Sequence, residues 1–124
     1  MILVDSSVWV RHFRRSAPHL VALLNDNMVL THPMVTGELA CGNLPRRREV
    51  LGLFRELPSA VAASDTEVLE LIEHHRLMGR GIGYVDVHLL AAALLTADAS
   101  IWTFDARLAS AASALSVAHT ADAG

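Results

Sequence analysis

Lysine is absent from the 124 residues, and cysteine occurs once, as Cys41. Without lysine there is no Gly-x-x-x-x-Gly-Lys phosphate loop, so nucleotide hydrolysis of that kind has no support. A single cysteine rules out an internal disulfide. No apolar run approaches the roughly 20 residues that a membrane-spanning helix needs. The longest, Leu89 to Leu95, is bracketed by His88 and Asp98. Neither a basic region nor a cleavage pattern flanks the opening Ile2-Leu3-Val4, so no secretory leader is expected. Internal repeats, low-complexity tracts and interdomain linkers are missing too. The expectation is one cytoplasmic domain over residues 1–124, with no membrane contact. A hydrophobic content of 52% supplies a real core and excludes an intrinsically disordered chain.

A cationic surplus is also lacking. Ten basic residues face 13 acidic ones, for a formal charge of −3. A chain that binds duplex non-specifically is ordinarily basic. If this one acts on nucleic acid, local clusters and bound metal must offset the acid. Arg11, Arg14 and Arg15 form one cluster, Arg46, Arg47 and Arg48 a second, and Arg76 with Arg80 a third. Each is equally readable as a solvated helix face.

Short apolar runs alternate with helical patterns. Ile2-Leu3-Val4 and Met28-Val29-Leu30 read as strands buried on both faces, as parallel strands are. Ala60 to Ala63 is a weak third strand, Ser100 to Phe104 a fourth, and Ser116 to His119 a possible edge strand. Helices are expected over 6–15, 18–24, from Pro33 to about Cys41, 47–57, from the Ser64-Asp65-Thr66-Glu67 capping box to the Gly79-Arg80-Gly81 break, 84–97 and 107–115. The segment from Tyr84 to Ala97 is apolar nearly all round, the mark of a buried helix. The fold class is α/β, a parallel sheet with helices on both faces.

Most of the acids lie on polar helix faces or among arginines, but four sit beside residues that should be buried. Asp5 follows the first strand directly, where open α/β sheets bind ligands. It also suits a helix cap, although Ser6 and Ser7 would serve equally well. Asp105 follows the fourth strand and is a good N-cap for the helix after it. If the first and fourth strands are neighbours, their ends lie about 5 Å apart and the two acids share a crevice. Asp86 opens the most hydrophobic helix, between Val85 and Val87. The helix dipole favours an acid there by only about 0.3–1 kcal/mol, less than desolvation of an unpaired charge costs. Gly81 and Gly83 before it let backbone approach a ligand. Glu38 lies mid-helix in a stretch otherwise poor in charge, and a surface position explains it equally well.

Gathering these acids has a consequence. Two carboxylates about 5 Å apart, at an effective dielectric near 20, repel by roughly 3 kcal/mol. Several such pairs consume much of a domain's net stability of about 5–15 kcal/mol. The cluster must hold protons or a cation. Hard oxygen ligands suit Mg²⁺ or Mn²⁺, which polarise a phosphodiester oxygen and acidify water while a free carboxylate orients that water for in-line attack.

Val4-Asp5-Ser6-Ser7-Val8-Trp9, the lone Glu38, Gly83-Tyr84-Val85-Asp86-Val87-His88-Leu89-Leu90-Ala91-Ala92 and Trp102-Thr103-Phe104-Asp105-Ala106-Arg107-Leu108 resemble, in order and spacing, the successive motifs of PIN-domain nucleases, and more narrowly VapC-type toxins. The resemblance implies a sheet of strand order 3-2-1-4-5, which sets the first and fourth strands side by side. It implies a Mg²⁺- or Mn²⁺-dependent endoribonuclease that arrests translation, a homodimer, and a VapB-like antitoxin that neutralises it. The family's acidic positions fall on Asp5, Glu38, Asp86 and Asp105. Asp5, Asp86 and Asp105 are the expected metal ligands, with Glu38 acting through water. Ser6, Ser7 and Thr103 take the supporting hydroxyl positions. An antitoxin groove lined by Val8, Trp9, Phe13 and Leu39 is a further expectation, although core positions suit these residues as well. The non-enzymatic alternative is a PIN-like module that only binds antitoxin or RNA.

Other families fit less well. A haloacid-dehalogenase-like phosphatase needs a second Asp where Ser7 stands, and a two-component receiver domain needs a lysine near its end. Zinc chemistry has little support: the seven histidines are scattered, without an H-E-x-x-H, and His88 reads as a core or groove residue.

Overall fold

Ile2–Val4 (β1) is the middle strand of a parallel sheet, flanked by Val29–Leu30 (β2) and Ser100–Trp102 (β3) in the order β2-β1-β3. The computed structural model describes residues 1–120. All three β1 side chains are buried, and successive side chains point to opposite faces, so both faces of the sheet are covered. Leu3 pairs with Leu30 on one side and Ile101 on the other, and Val4 pairs with Trp102. Asp5 N–H donates to the Trp102 carbonyl at 2.9 Å, carrying the ladder one residue past the strand.

The helices are Ser6–Arg14 (α1), Pro18–Asn25 (α2), Pro33–Ala40 (α3), Arg47–Glu56 (α4), Asp65–His75 (α5), Tyr84–Leu95 (α6) and Ala106–Ala114 (α7). The seven expected helices are present, with ends displaced by a residue or two, except that α5 stops at His75, three residues short of the Gly79 break, where Arg76 turns left-handed. In α6 every residue from Val87 to Ala93 is buried, as its all-round apolarity requires. The α5 capping box is closed in both directions: Glu67 N–H donates to Ser64 Oγ at 3.1 Å, and Ser64 N–H to Glu67 Oε1 at 2.9 Å. Among the described residues no helix is long and apolar enough to cross a membrane.

Among the described residues five strands in the order 3-2-1-4-5 do not form, and the sheet has three. The two outer positions are single parallel bridges, Thr31 with Ser59 and Ile101 with Ala118. Pro33 opens α3 two residues past Thr31, Val61 N–H donates to Thr96 Oγ1 at 2.8 Å, and the alanines at 60, 62 and 63 have low strand propensity, so the Ala60–Ala63 strand fails to extend. At the other edge Ser116 adopts φ +61, a left-handed conformation that takes the first residue out of the expected strand, and only Val117 to His119 exchange bonds with Ile101.

Three of the four expected groove residues, Val8, Trp9 and Leu39, belong to the core. Val8 is fully buried, and Trp9 meets Phe54 edge to face with ring centroids 4.9 Å apart. Leu39 and Phe13 do line a groove of about 710 Å³, together with Val10, Arg14, Glu38 and Leu44. Arg47, from the second basic cluster, is structural: its guanidinium donates to the carbonyls of Ala40 at 2.7 Å and Gly42 at 3.1 Å, satisfying the exposed end of α3.

Candidate active site

Asp5 lies where β1 passes into α1, and its side chain makes no cap for that helix. Its Oδ2 accepts two hydroxyl protons instead, from Ser7 at 2.7 Å and from Thr103 at 2.8 Å. The residue is 6% exposed. The two hydroxyls are themselves fixed by the backbone beyond β3: Phe104 N–H donates to Ser7 Oγ and Asp105 N–H to Thr103 Oγ1, each at 3.0 Å. Parallel pairing of β1 with β3 thus brings two sequence-distant acidic positions, Asp5 and Asp105, to one end of the sheet.

Asp105 is both a cap and a member of the cluster. Its Oδ1 accepts from Arg107 N–H at 2.8 Å and Leu108 N–H at 3.2 Å, opening α7. Asp86, half-buried in the first turn of α6, accepts Gly83 N–H on Oδ2 at 3.1 Å. Burial pushes its carboxyl pKa up, the Gly83 hydrogen bond opposes this, and the charges of Asp5 and Asp105 raise it further. Glu38, on the exposed side of α3, receives the Ser6 hydroxyl on Oε1 at 3.5 Å. Its carboxyl is raised first by desolvation, then by the charges of Asp5 and Asp86, against the Ser6 contact. All four acids therefore share one field, which is the convergence the sequence could not show.

One oxygen of each carboxylate is held by the chain: Asp5 Oδ2, Glu38 Oε1, Asp86 Oδ2 and Asp105 Oδ1. The other oxygen of each accepts no hydrogen bond among the described residues, and none of the four acids is paired with a cation there. These are hard, fixed, uncompensated donors, the chemistry that a divalent cation suits. Among the described residues no three His, Cys, Asp or Glu side chains stand close enough to hold one ion directly. The fit is therefore to a cation that keeps several of its waters and meets one or two carboxylates, as Mg²⁺ ordinarily does.

The roles of Asp65 and Phe104 escaped the sequence, and Gly81, expected to let backbone approach a ligand, packs against Arg107 instead. Asp65, which reads as one more acid on a capped polar face, accepts the Tyr84 hydroxyl at 2.7 Å and His88 Nε2 at 3.2 Å, both on its Oδ1. These bonds hold its pKa down, that of Tyr84 foremost. Tyr84 and His88 are one turn apart on α6, while Asp86 lies between them on another face, so the bridge to α5 fixes the roll of the helix that presents Asp86. The i, i+4 spacing was the available signal. Gly81, at φ +77, lies under Arg107: a side chain there would meet the guanidinium within 2.6 Å. Phe104 lies exposed beside the cluster with the Arg11 guanidinium carbon 4.8 Å from its ring centroid.

A family model for the PIN domain matches residues 2–114. Ribonuclease VapC32 of Mycobacterium tuberculosis, in strains CDC 1551 / Oshkosh and ATCC 25618 / H37Rv, is 43% identical over 118 residues, covering 95% of this chain and 95% of that protein. With the acids of the four motifs set in one field at the end of a parallel sheet, and with the match running nearly end to end, the chain belongs to the PIN-domain family and, within it, to the VapC type.

Proposed function

We propose that this chain is a metal-dependent endoribonuclease, the toxin of a toxin–antitoxin pair whose RNA cleavage arrests translation and whose partner is a VapB-like antitoxin. The observation that carries the reading is the set of four coupled carboxylates, each with one oxygen anchored and one left over. The cation, Mg²⁺ or Mn²⁺, supplies charge that polarises a phosphodiester oxygen and makes water more acidic. Asp5 and Asp86 hold it, with Asp105 reaching it through one of the waters that the cation keeps. Glu38, exposed and with its affinity for protons raised, orients an attacking water and takes its proton in this reading. Ser7 and Thr103 keep the Asp5 carboxylate in one rotamer, and Ser6 steadies Glu38. Homodimerisation is part of the same proposal.

The test is incubation of the purified protein with structured RNA, with Mn²⁺ and then with EDTA. Cuts that need Mn²⁺ and vanish in Asp5→Asn support the enzyme. Cleavage surviving both EDTA and that substitution rules the mechanism out, and no cleavage with intact RNA binding favours a binding-only module.

A further inference from the structure

His19, in the first turn of α2, and His119, beyond β3, are 100 positions apart in sequence and meet through their Nε2 atoms at 2.9 Å. The ring planes lie 6° from parallel with centroids 5.2 Å apart, so each nitrogen points at the other. Both rings are half-buried against Trp102, which meets His19 edge-on at 5.0 Å and His119 at 6.0 Å. The backbone at one end is fixed, because His119 N–H donates to the Ile101 carbonyl at 2.8 Å. Among the described residues neither imidazole has an acidic partner. Burial lowers the His119 pKa below 6.5, and the charges of His19 and the N-terminal amine lower it further, so this ring is neutral at pH 7. A pair of nitrogen donors, with no carboxylate to explain it, therefore joins two distant elements.

We infer that His19 and His119 form a second metal site, separate from the carboxylate cluster and selective for a tetragonal transition ion of the Cu²⁺ or Ni²⁺ class. It does not depend on the ribonuclease reading. Two nitrogens each about 2.0 Å from an ion lie about 2.8 Å apart when they meet it at right angles, and about 3.3 Å apart on a tetrahedral ion. The observed 2.9 Å fits the right angle, the geometry that Cu²⁺ and Ni²⁺ favour. Donor chemistry agrees. Imidazole suits these ions, whereas Mg²⁺ and Mn²⁺ take oxygen ligands. In the metal-free pair one Nε2 carries the proton that lies between the rings. As the ion enters, that proton passes to Nδ1 of the same ring, and the rings tip until both lone pairs meet at the ion. Water fills the remaining positions. The bound ion ties α2 to the chain beyond β3 and so stabilises the folded state.

The experiment is titration of Cu²⁺ into the untagged full chain in excess Mg²⁺, read by quenching of tryptophan fluorescence. Wild type is compared with His19→Ala, with His119→Ala, and with the double variant His74→Ala, His75→Ala. Melting temperature is followed with and without Ni²⁺. Trp102 lies against the pair, so saturable quenching is expected in wild type. His19→Ala and His119→Ala should each weaken it at least about tenfold, since each removes one of two protein ligands, and the double variant on α5 should leave it unchanged. Ni²⁺ should raise the melting temperature of wild type and the double variant but not of the other two. Absence of saturable quenching in wild type overturns the site, as does undiminished quenching in both His19→Ala and His119→Ala. Loss of quenching in the double variant also overturns it, and assigns the ion to the end of α5. Equal quenching by Mn²⁺ overturns the selectivity. Should His119→Ala melt below the assay temperature, His19→Ala decides alone.

Discussion

Thr103 Oγ1 lies 2.8 Å from Asp5 Oδ2, a hydrogen bond across 98 positions of sequence. It joins the end of β3 to the end of β1, and Ser7 makes the second bond to the same oxygen at 2.7 Å. The buried Asp5 carboxylate is tolerable because two hydroxyls meet one of its oxygens, and useful because the other oxygen is left over.

Removing one hydroxyl tests that account. Ser7→Ala leaves Phe104 N–H without its acceptor and Asp5 with a single donor. A stability loss of about 1–2 kcal/mol is expected by chemical denaturation, together with a fall in RNA cleavage. Ser7→Thr, which keeps the hydroxyl, should retain most of both.

Asp105 has two roles that substitutions can separate. Asp105→Asn keeps an oxygen to cap α7 and should preserve stability while lowering cleavage. Asp105→Ala should lower cleavage equally and cost about 1 kcal/mol besides, for the lost cap. Equal stability of the two variants would remove the capping role; full activity in Asp105→Asn would remove the other.

The metal-free protein should be relieved by losing Asp86. Its carboxyl pKa is raised in the folded state, so the protonated form is favoured there. The stability this contributes is present below the unfolded value of 3.8 and is lost as pH rises through the higher folded value. At neutral pH the charge is therefore a burden. Asp86→Asn should melt at the same temperature or up to about 4 °C higher at pH 7, with the gain shrinking toward pH 4. A large loss of stability would make Asp86 a structural acid.

A histidine pair gives the opposite slope. His19 and His119 face each other with Nε2 atoms 2.9 Å apart and ring planes 6° from parallel, an in-line contact that shares one proton. Burial lowers the His119 pKa from 6.5, and the charges of His19 and the N-terminal amine lower it further. The stability this group contributes is therefore present above about pH 6.5 and lost as pH falls through the lower folded value. Denaturation of the metal-free protein at pH 7.5 and 5.5 should show a loss on acidification that is smaller in His119→Phe. His32, also lowered by burial, accounts for part of the remainder.

The sequence disclosed the sheet's centre and hid its edges. Ile2-Leu3-Val4 was legible because a strand covered on both faces has to be apolar throughout. The Ala60–Ala63 and Ser116–His119 edges were not, since pairing there depends on where α3 starts at Pro33 and on the left-handed Ser116, which no apolar count registers. The acids were visible one at a time, as charges in apolar surroundings, but their shared field required the pairing of β1 with β3. Groove and core stayed equally open at Val8 and Trp9 because a residue on an apolar helix face looks the same whether it meets a partner or, as Trp9 does, Phe54. Asp65, Tyr84 and His88 were hidden for a related reason: their contact joins two helices, and periodicity reports one helix at a time.

The central claim, that the acids converge to hold a divalent cation, is tested most directly by isothermal titration of Mn²⁺ into the RNA-free protein. Saturable binding in wild type that weakens at least about tenfold in both Asp5→Asn and Asp86→Asn is the predicted result, since each substitution removes one charged ligand. No binding in wild type, or undiminished binding in both variants, would contradict it.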